Sequence, residues 1–99
     1  MDINQTKETN ESIREKINNK DYNNIENWDV SEVTDMGSLF NRIYYFNYDI
    51  SKWDVSNVTN MESMFNGCVN FNQDIGSWNV SNVTDMNRMF ENCTNFDQD

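Results

Sequence analysis

The chain has 99 residues, of which 36% are apolar, and a formal net charge of −10. This length supports one domain with a modest core. Because every part of the chain is net acidic and no basic patch is present, nucleic acid and anionic membranes are poor partners, and no apolar run reaches the length of a membrane span.

The first predicted element is a helix in the segment TKETNESIREKINN, from Thr6 to about Asn19. Ile13 and Ile17 stand four residues apart and share one face of that helix. Such a narrow apolar stripe suits a helix that lies across the end of a repeat stack, where repeat proteins need a polar-backed cap. We therefore interpret residues 1–27 as an N-terminal helical cap.

Three near-copies of one segment follow, each opened by a tryptophan: Trp28, Trp53 and Trp78. The second begins WDVSNVTNMESMFNGCVNFNQD and the third reads WNVSNVTDMNRMFENCTNFDQD, and the two agree at 14 of these 22 positions. A fixed period of 25 residues is typical of repeats that must stack to bury their apolar faces. We name residues 28–52 copy one, 53–77 copy two and 78–99 copy three, which is incomplete.

Each copy is predicted to contain a short helix after Thr34, Thr59 or Thr84, because the apolar residues that follow recur at i, i+3, i+4 and i+7. These residues are Met36-Leu39-Phe40-Ile43, Met61-Met64-Phe65-Cys68 and Met86-Met89-Phe90-Cys93. Thr59 and Glu62 match a capping box. Gly67 is suited to the left-handed conformation that ends a helix.

A very short strand is predicted at each Trp-x-Val, where alternation places Trp53 and Val55 on one face. The spacing I-x-x-W-x-V matches the register of leucine-rich repeats. A strand one step earlier, through Asp49-Ile50 and Asp74-Ile75, is the alternative. The predicted fold class is α/β: a short leucine-rich-repeat-like solenoid of three repeats over residues 28–99, with a parallel ribbon, helices behind it and the helical cap.

The strings DVSNVT, MF and FNQDI make residues 25–99 resemble the repeat of the BspA-like surface proteins, relatives of the leucine-rich repeats. The resemblance implies adhesion or binding of a host protein, and a cell-surface or secreted parent. The first residues, MDINQTKETNES, lack the basic and apolar regions of a signal peptide, so the compartment stays unassigned. Copy one departs from the family pattern at Arg42-Ile43-Tyr44-Tyr45, which we expect to pack against the cap.

Residues able to carry catalysis are nearly absent. The chain has no histidine, which excludes Ser-His-Asp, Cys-His and His-ligated zinc sites. Cys68 and Cys93 are equivalent and predict core packing, with a disulfide or a metal site as the open alternatives. Asp49, Asp74 and Asp99 are also equivalent; they are expected to accept backbone N–H groups, with Ca²⁺ bridging as the open alternative. No enzymatic activity and no cofactor are expected.

A companion ladder of Asn47, Asn72 and Asp97 is expected to satisfy loop backbone groups. The tryptophans and phenylalanines recur in register with Val and Met, so they predict core packing and not a ligand platform.

The predicted function is a non-enzymatic protein-binding module, of adhesion or scaffold type, whose partner has a polar or basic surface. The residues predicted to face the partner are Asp29, Ser31, Lys52, Asp54, Ser56, Ser77, Asn79 and Ser81. The alternative is a structural module that forms a homodimer, closed about a two-fold axis, through the apolar side of copy three. The residues predicted for that self-association are Trp78, Met86, Phe90 and Phe96.

Overall fold

The computed structural model describes residues 7–98. Within them, one α-helix, α1 (Asn10–Asn18), and one 3-10 turn (Ile25–Asn27) are the regular elements. Neither is long and apolar enough to cross a membrane.

Helix α1 confirms the predicted helix over a shorter span, with Thr6 outside the described residues. Thr9 caps it: its hydroxyl accepts a hydrogen bond from Ser12 N at 2.9 Å, and Ser12 Oγ accepts one from Thr9 N at 2.8 Å. Ile13 and Ile17 are buried in the common core. Asn10 holds the helix to copy one, because its Oδ1 accepts from Thr34 N at 3.0 Å.

The predicted leucine-rich-repeat-like α/β solenoid is wrong. Residues 7–98 contain no sheet, and their β-type pairing is limited to three isolated parallel bridges: Lys7–Asp29, Asp35–Asn60 and Asn60–Asp85. Neither the Trp-x-Val segments nor the Asp-Ile alternative forms a strand, and the three short helices are turns. The molecule is a compact globule with a radius of gyration of 12.8 Å, as expected for about 100 residues.

The missing helices have a physical reason in the backbone after each threonine. Six residues there have φ between 57° and 80°, in the left-handed region: Ser38, Arg42, Ser63, Gly67, Arg88 and Asn92. An α-helix cannot continue through such residues. Thr59 does not cap a helix either, because its hydroxyl donates to Thr34 O at 3.2 Å.

The N–H groups that a helix would have used internally bind the next copy instead. Met36 N donates to Asn60 O at 2.9 Å, and Met61 N donates to Asp85 O at 2.9 Å. The Asn60–Met61 peptide unit thus accepts from copy one and donates to copy three. The same relay recurs in three parallel rows that start at Ser38, Phe40 and Arg42. Bonds between copies therefore alternate with turn bonds within each copy, such as Leu39 N to Met36 O at 3.2 Å.

Aromatic columns fill the core between these turns. The rings of Phe40, Phe65 and Phe90 stack with centroid separations of 5.6 Å at both steps. A second column, Phe46, Phe71 and Phe96, runs beside it with separations of 5.9 and 5.8 Å. These contacts confirm that the phenylalanines are core residues.

The buried polar atoms of the core also bond at the repeat spacing. Trp53 Nε1 donates to Ile25 O at 2.8 Å and Trp78 Nε1 to Ile50 O at 3.1 Å. Cys68 is a free, buried thiol whose Sγ lies 3.0 Å from Phe40 O, and burial raises its pKa to about 12. Cys93 is likewise free and buried, so the prediction of core packing for both cysteines is confirmed.

Candidate protein-binding surfaces

Three equivalent turns form one polar ridge on the stacked copies. We call it the serine ridge: residues 29–31, 54–56 and 79–81. Asp54, Asn79 and Ser81 are exposed, whereas Asp29 is half-buried. In the first two turns the aspartate Oδ1 accepts two hydrogen bonds from the serine two positions later. Asp54 Oδ1 lies 3.1 Å from Ser56 N and 2.6 Å from Ser56 Oγ, and Asp29 has the same pair of bonds at 3.1 and 2.7 Å. In the third turn, Asn79 Oδ1 accepts from Ser81 N at 3.1 Å.

These bonds determine the charge of the ridge. The Ser31 hydroxyl, the Ser31 N–H and the nearby Lys7 lower the pKa of Asp29 below its usual value. The Ser56 hydroxyl and N–H lower the pKa of Asp54 in the same way. Hydrogen bonds to a carboxylate favour its charged form. Both side chains are therefore anionic at neutral pH.

Asparagine side chains hold the turns of the ridge in register. Asn57 Nδ2 donates to Ser31 O at 2.8 Å, and Asn82 Nδ2 donates to Ser56 O at 2.7 Å. Each turn is thus bonded to the turn of the next copy. The carboxylates consequently sit on a fixed frame and not on mobile loops.

The structure brings Asp29, Lys52 and Asp54 together around a shallow concavity of about 240 Å³. Ser77, Asn79 and Ser81, which belong to copy three, are exposed. Sequence reasoning assigned the predicted partner-facing residues to strands, and the structure places them in or beside turns.

The predicted self-association residues also lie together. Trp78, Met86, Phe90 and Phe96 line one open apolar groove of about 310 Å³ on the outer side of copy three. Met86 is 43% exposed, whereas its counterpart Met61 is fully buried.

The aspartate column outside the ridge accepts backbone N–H groups. Asp49 Oδ1 accepts from Ser51 N at 3.0 Å and Asp74 Oδ1 from Gly76 N at 2.9 Å; Asp99 lies outside the described residues. Within residues 7–98, no group of three histidine, cysteine or acidic side chains is arranged to hold a metal ion.

The companion asparagine ladder is confirmed. Asn47 Oδ1 accepts from Asn72 N, and Asn72 Oδ1 accepts from Asp97 N, both at 2.9 Å.

Sequence reasoning missed one surface. All four tyrosines of the chain cluster where the cap meets copy one: Tyr22, Tyr44, Tyr45 and Tyr48. The expectation of packing against the cap is met by Tyr45, whose hydroxyl lies 3.0 Å from that of Tyr22. Burial, followed by this hydrogen bond, raises the pKa of Tyr22. Tyr44, however, is 64% exposed. The signal in the sequence was the clustering of tyrosine in copy one alone.

Comparison with curated proteins and with solved structures gives no significant match. A family-level comparison matches residues 7–99, which include the cap and all three copies. The chain belongs to the family described as "Mycoplasma protein of unknown function, DUF285".

Proposed function

We propose that this protein is a non-enzymatic binding module that contacts another protein through the serine ridge. The observation that carries the proposal is a pair of fixed, ionised carboxylates on a row of bonded turns, the exposed Asp54 and the half-buried Asp29. A rigid charged row needs little ordering when a partner binds, which favours specific contact. The resemblance to BspA-like repeats supports an adhesion or scaffold role.

The chemistry of the ridge defines the partner. The serine hydroxyls at 31 and 56 donate to their own aspartates, and Asp29 Oδ2 also pairs with Lys7 Nζ at 3.3 Å. The carboxylate of Asp54 is therefore the main group left for an incoming charge. Cations and N–H donors are its natural complement. The proposed partner surface is therefore polar or basic and carries lysine or arginine side chains.

The test is a double substitution that removes charge and keeps the turn. Asn79 already occupies the aspartate position in copy three and accepts the same backbone bond, so Asp29→Asn with Asp54→Asn should fold normally. The matched control is Glu32→Gln with Glu62→Gln, which changes the net charge equally at exposed positions off the ridge.

The probe is the peptide Ac-GKSKSKG-NH2, titrated into the 15N-labelled chain. We expect saturable shifts at residues 29–31 and 54–56, weakened about tenfold or more in the ridge variant and unchanged in the control. Equal weakening of peptide binding in the two variants would show that net charge alone causes the effect. Amide shifts at other residues would refute the ridge as the binding site.

A second candidate function is self-association through the groove of copy three, favoured by the exposure of Met86 beside Phe90 and Phe96. The backbone edge next to the groove presents N–H donors, such as Met86 N, and also the C=O of Thr84, the counterpart of Thr59 O, which accepts from Thr84 N at 2.9 Å. The groove itself contributes apolar side chains to a two-fold contact. Light scattering across a dilution series tests this function. A dimer that is lost in Phe96→Asp would support it, and a concentration-independent monomer would end it.

A further inference from the structure

A second surface lies where the cap meets copy one, and we call it the tyrosine surface: Lys20, Tyr22, Arg42, Tyr44, Tyr45 and Tyr48. Its rings touch one another: Tyr22 lies 5.2 Å from Tyr48 and 6.3 Å from Tyr45, and Tyr44 meets Tyr45 edge to face at 5.4 Å. Three of these rings remain 38% to 64% exposed. Clustered tyrosines that are this exposed are typical of binding surfaces, since each offers a rigid apolar face and a polar tip.

Packing between the copies does not require these tyrosines. The positions of Tyr44, Tyr45 and Tyr48 are held by Val69, Asn70 and Gln73 in copy two and by Thr94, Asn95 and Gln98 in copy three. Both of those copies stack with the same hydrogen bonds and ring columns. The three tyrosine rings of copy one are therefore not part of the packing that the copies share.

The charge of this surface is opposite to that of the rest of the molecule. The chain has seven cations; four are in ion pairs, and Lys52 interacts with Asp49. The other two, Lys20 and Arg42, have no acidic partner within residues 7–98, and both line one concavity of about 400 Å³ beside the tyrosines.

A second concavity of about 420 Å³ lies on the other side of Tyr22 and includes Tyr48 and Lys20. Glu26 is the one acid among the residues lining the two concavities. Tyrosine and arginine are both enriched among the residues that carry most of the binding energy at protein interfaces. Two unpaired cations make an anionic partner the complementary one.

We propose that the tyrosine surface binds an acidic segment of another polypeptide. Arg42 and Lys20 contact its carboxylates, and the tyrosine rings pack on the apolar side chains between them. This site shares no residue with the serine ridge and is opposite to it in charge, and the concavities beside the two surfaces meet at Glu26. The proposal does not rest on the function proposed above. The protein would then carry one surface for basic partners and one for acidic partners.

The experiment uses the full chain, labelled with 15N, and two matched peptides as probes: Ac-GEELEELG-NH2 and its uncharged counterpart Ac-GQQLQQLG-NH2. We expect the acidic peptide to cause saturable amide shifts confined to residues 18–24 and 41–48. The uncharged peptide should bind at least about tenfold more weakly, which is the loss typical of removing a charged contact.

Two variants taken from copy two supply the controls for folding. Arg42→Gly imports the residue of position 67, and glycine suits the φ of 66° at this position. Tyr44→Val, Tyr45→Asn and Tyr48→Gln together import Val69, Asn70 and Gln73. Each variant should weaken the acidic peptide about tenfold or more. The control Asn92→Gly makes the same kind of change in copy three and should leave affinity unchanged.

Several outcomes would overturn the proposal. They are the absence of saturable shifts with millimolar acidic peptide, shifts centred on the serine ridge, or full affinity in Arg42→Gly. A heparin tetrasaccharide that binds the same residues more tightly than the peptide would replace the polypeptide with an acidic glycan. If the triple variant loses its dispersed spectrum, the affinity of the single variant Tyr44→Val for the acidic peptide replaces it as the test, because this ring is the most exposed of the four.

Discussion

Copy two and copy three are nearly the same sequence in two different surroundings. Copy two has a neighbour on each side, and Met61 and Phe65 are fully buried. Copy three meets only copy two within the described residues; Met86 is largely exposed and Phe90 is half-buried. Burial in this protein therefore comes from the neighbouring segment, since neither copy contains a core of its own.

The largest expected effect comes from removing the neighbour of copy one. Deletion of residues 1–24 takes away Ile13 and Ile17 and uncovers the apolar side that they bury. A few hundred Å² of apolar surface at about 25 cal/mol/Å² contributes several kcal/mol, comparable with the whole stability of a small domain. We expect a molten or insoluble chain, checked by NMR dispersion and thermal unfolding. A well-dispersed spectrum would show that the copies fold without the cap.

A paired substitution compares copies two and three directly. Phe65→Ala opens a cavity between two stacked rings and should destabilise the protein by about 3–5 kcal/mol. Phe90→Ala removes a ring with a stacking partner on the copy-two side and should cost about half as much. Urea unfolding of the two variants measures the difference. Equal losses would contradict the view that burial is supplied by neighbours.

A smaller effect is expected at the left-handed residue before each cysteine. A Cβ at Gly67 would lie 3.2 Å from the Cα of Arg42 in copy one, and φ there is 80°. Gly67→Asn, which imports the residue of copy three, should therefore cost about 1 kcal/mol or more. The reciprocal change, Asn92→Gly, should be close to neutral at φ of 62°. The check is the shift in urea midpoint for both variants.

The smallest effect concerns acid. The Ser56 hydroxyl and N–H lower the pKa of Asp54 in the folded chain, so this group stabilises the fold above its unfolded pKa. That stabilisation is lost as pH falls through the lower folded pKa. Asp54→Asn, which copies Asn79, should remove this contribution to the acid dependence of stability and change little else. Unfolding midpoints of the two proteins from pH 7 to pH 2 provide the measurement. An unchanged pH profile would show that Asp54 does not contribute to the acid dependence of stability.

Local patterns predicted those features whose partners are close in sequence or repeat at 25 residues. Helix α1 followed from Ile13 and Ile17, and the aromatic columns followed from register. The predicted helices failed because their spacing of apolar residues is also produced by turns at Ser38 and Arg42. Hydrogen bonds to another copy stabilise the turns in place of helices. A local sequence pattern carries no information about those bonds.

The two candidate surfaces differ in the same respect: one could be predicted from the sequence and the other could not. The serine ridge could be selected from sequence because Asp-x-Ser recurs at a fixed position in copies one and two. The tyrosine surface could not, since Tyr22 comes from the cap and Tyr44 from copy one, 22 positions later. Only the docking of α1 against that copy brings them together.

The relay of hydrogen bonds through the copies aligns the dipoles of the peptide units that form it. In the four relay rows, every peptide unit points its C=O toward the cap and its N–H toward copy three, so the dipoles of these rows add as they do in an α-helix. The threonine row runs the other way, since Thr59 N donates to Thr34 O and Thr84 N donates to Thr59 O. The carbonyl end meets a cation, because Arg14 Nη2 donates to Asp35 O at 3.3 Å. The opposite end presents the N–H groups of Met86, Arg88 and Phe90 and carries partial positive charge. In a molecule with a net charge of −10, these N–H groups form a narrow row of partial positive charge among the acidic side chains of copy three, and the net charge of those side chains governs the approach of a charged surface.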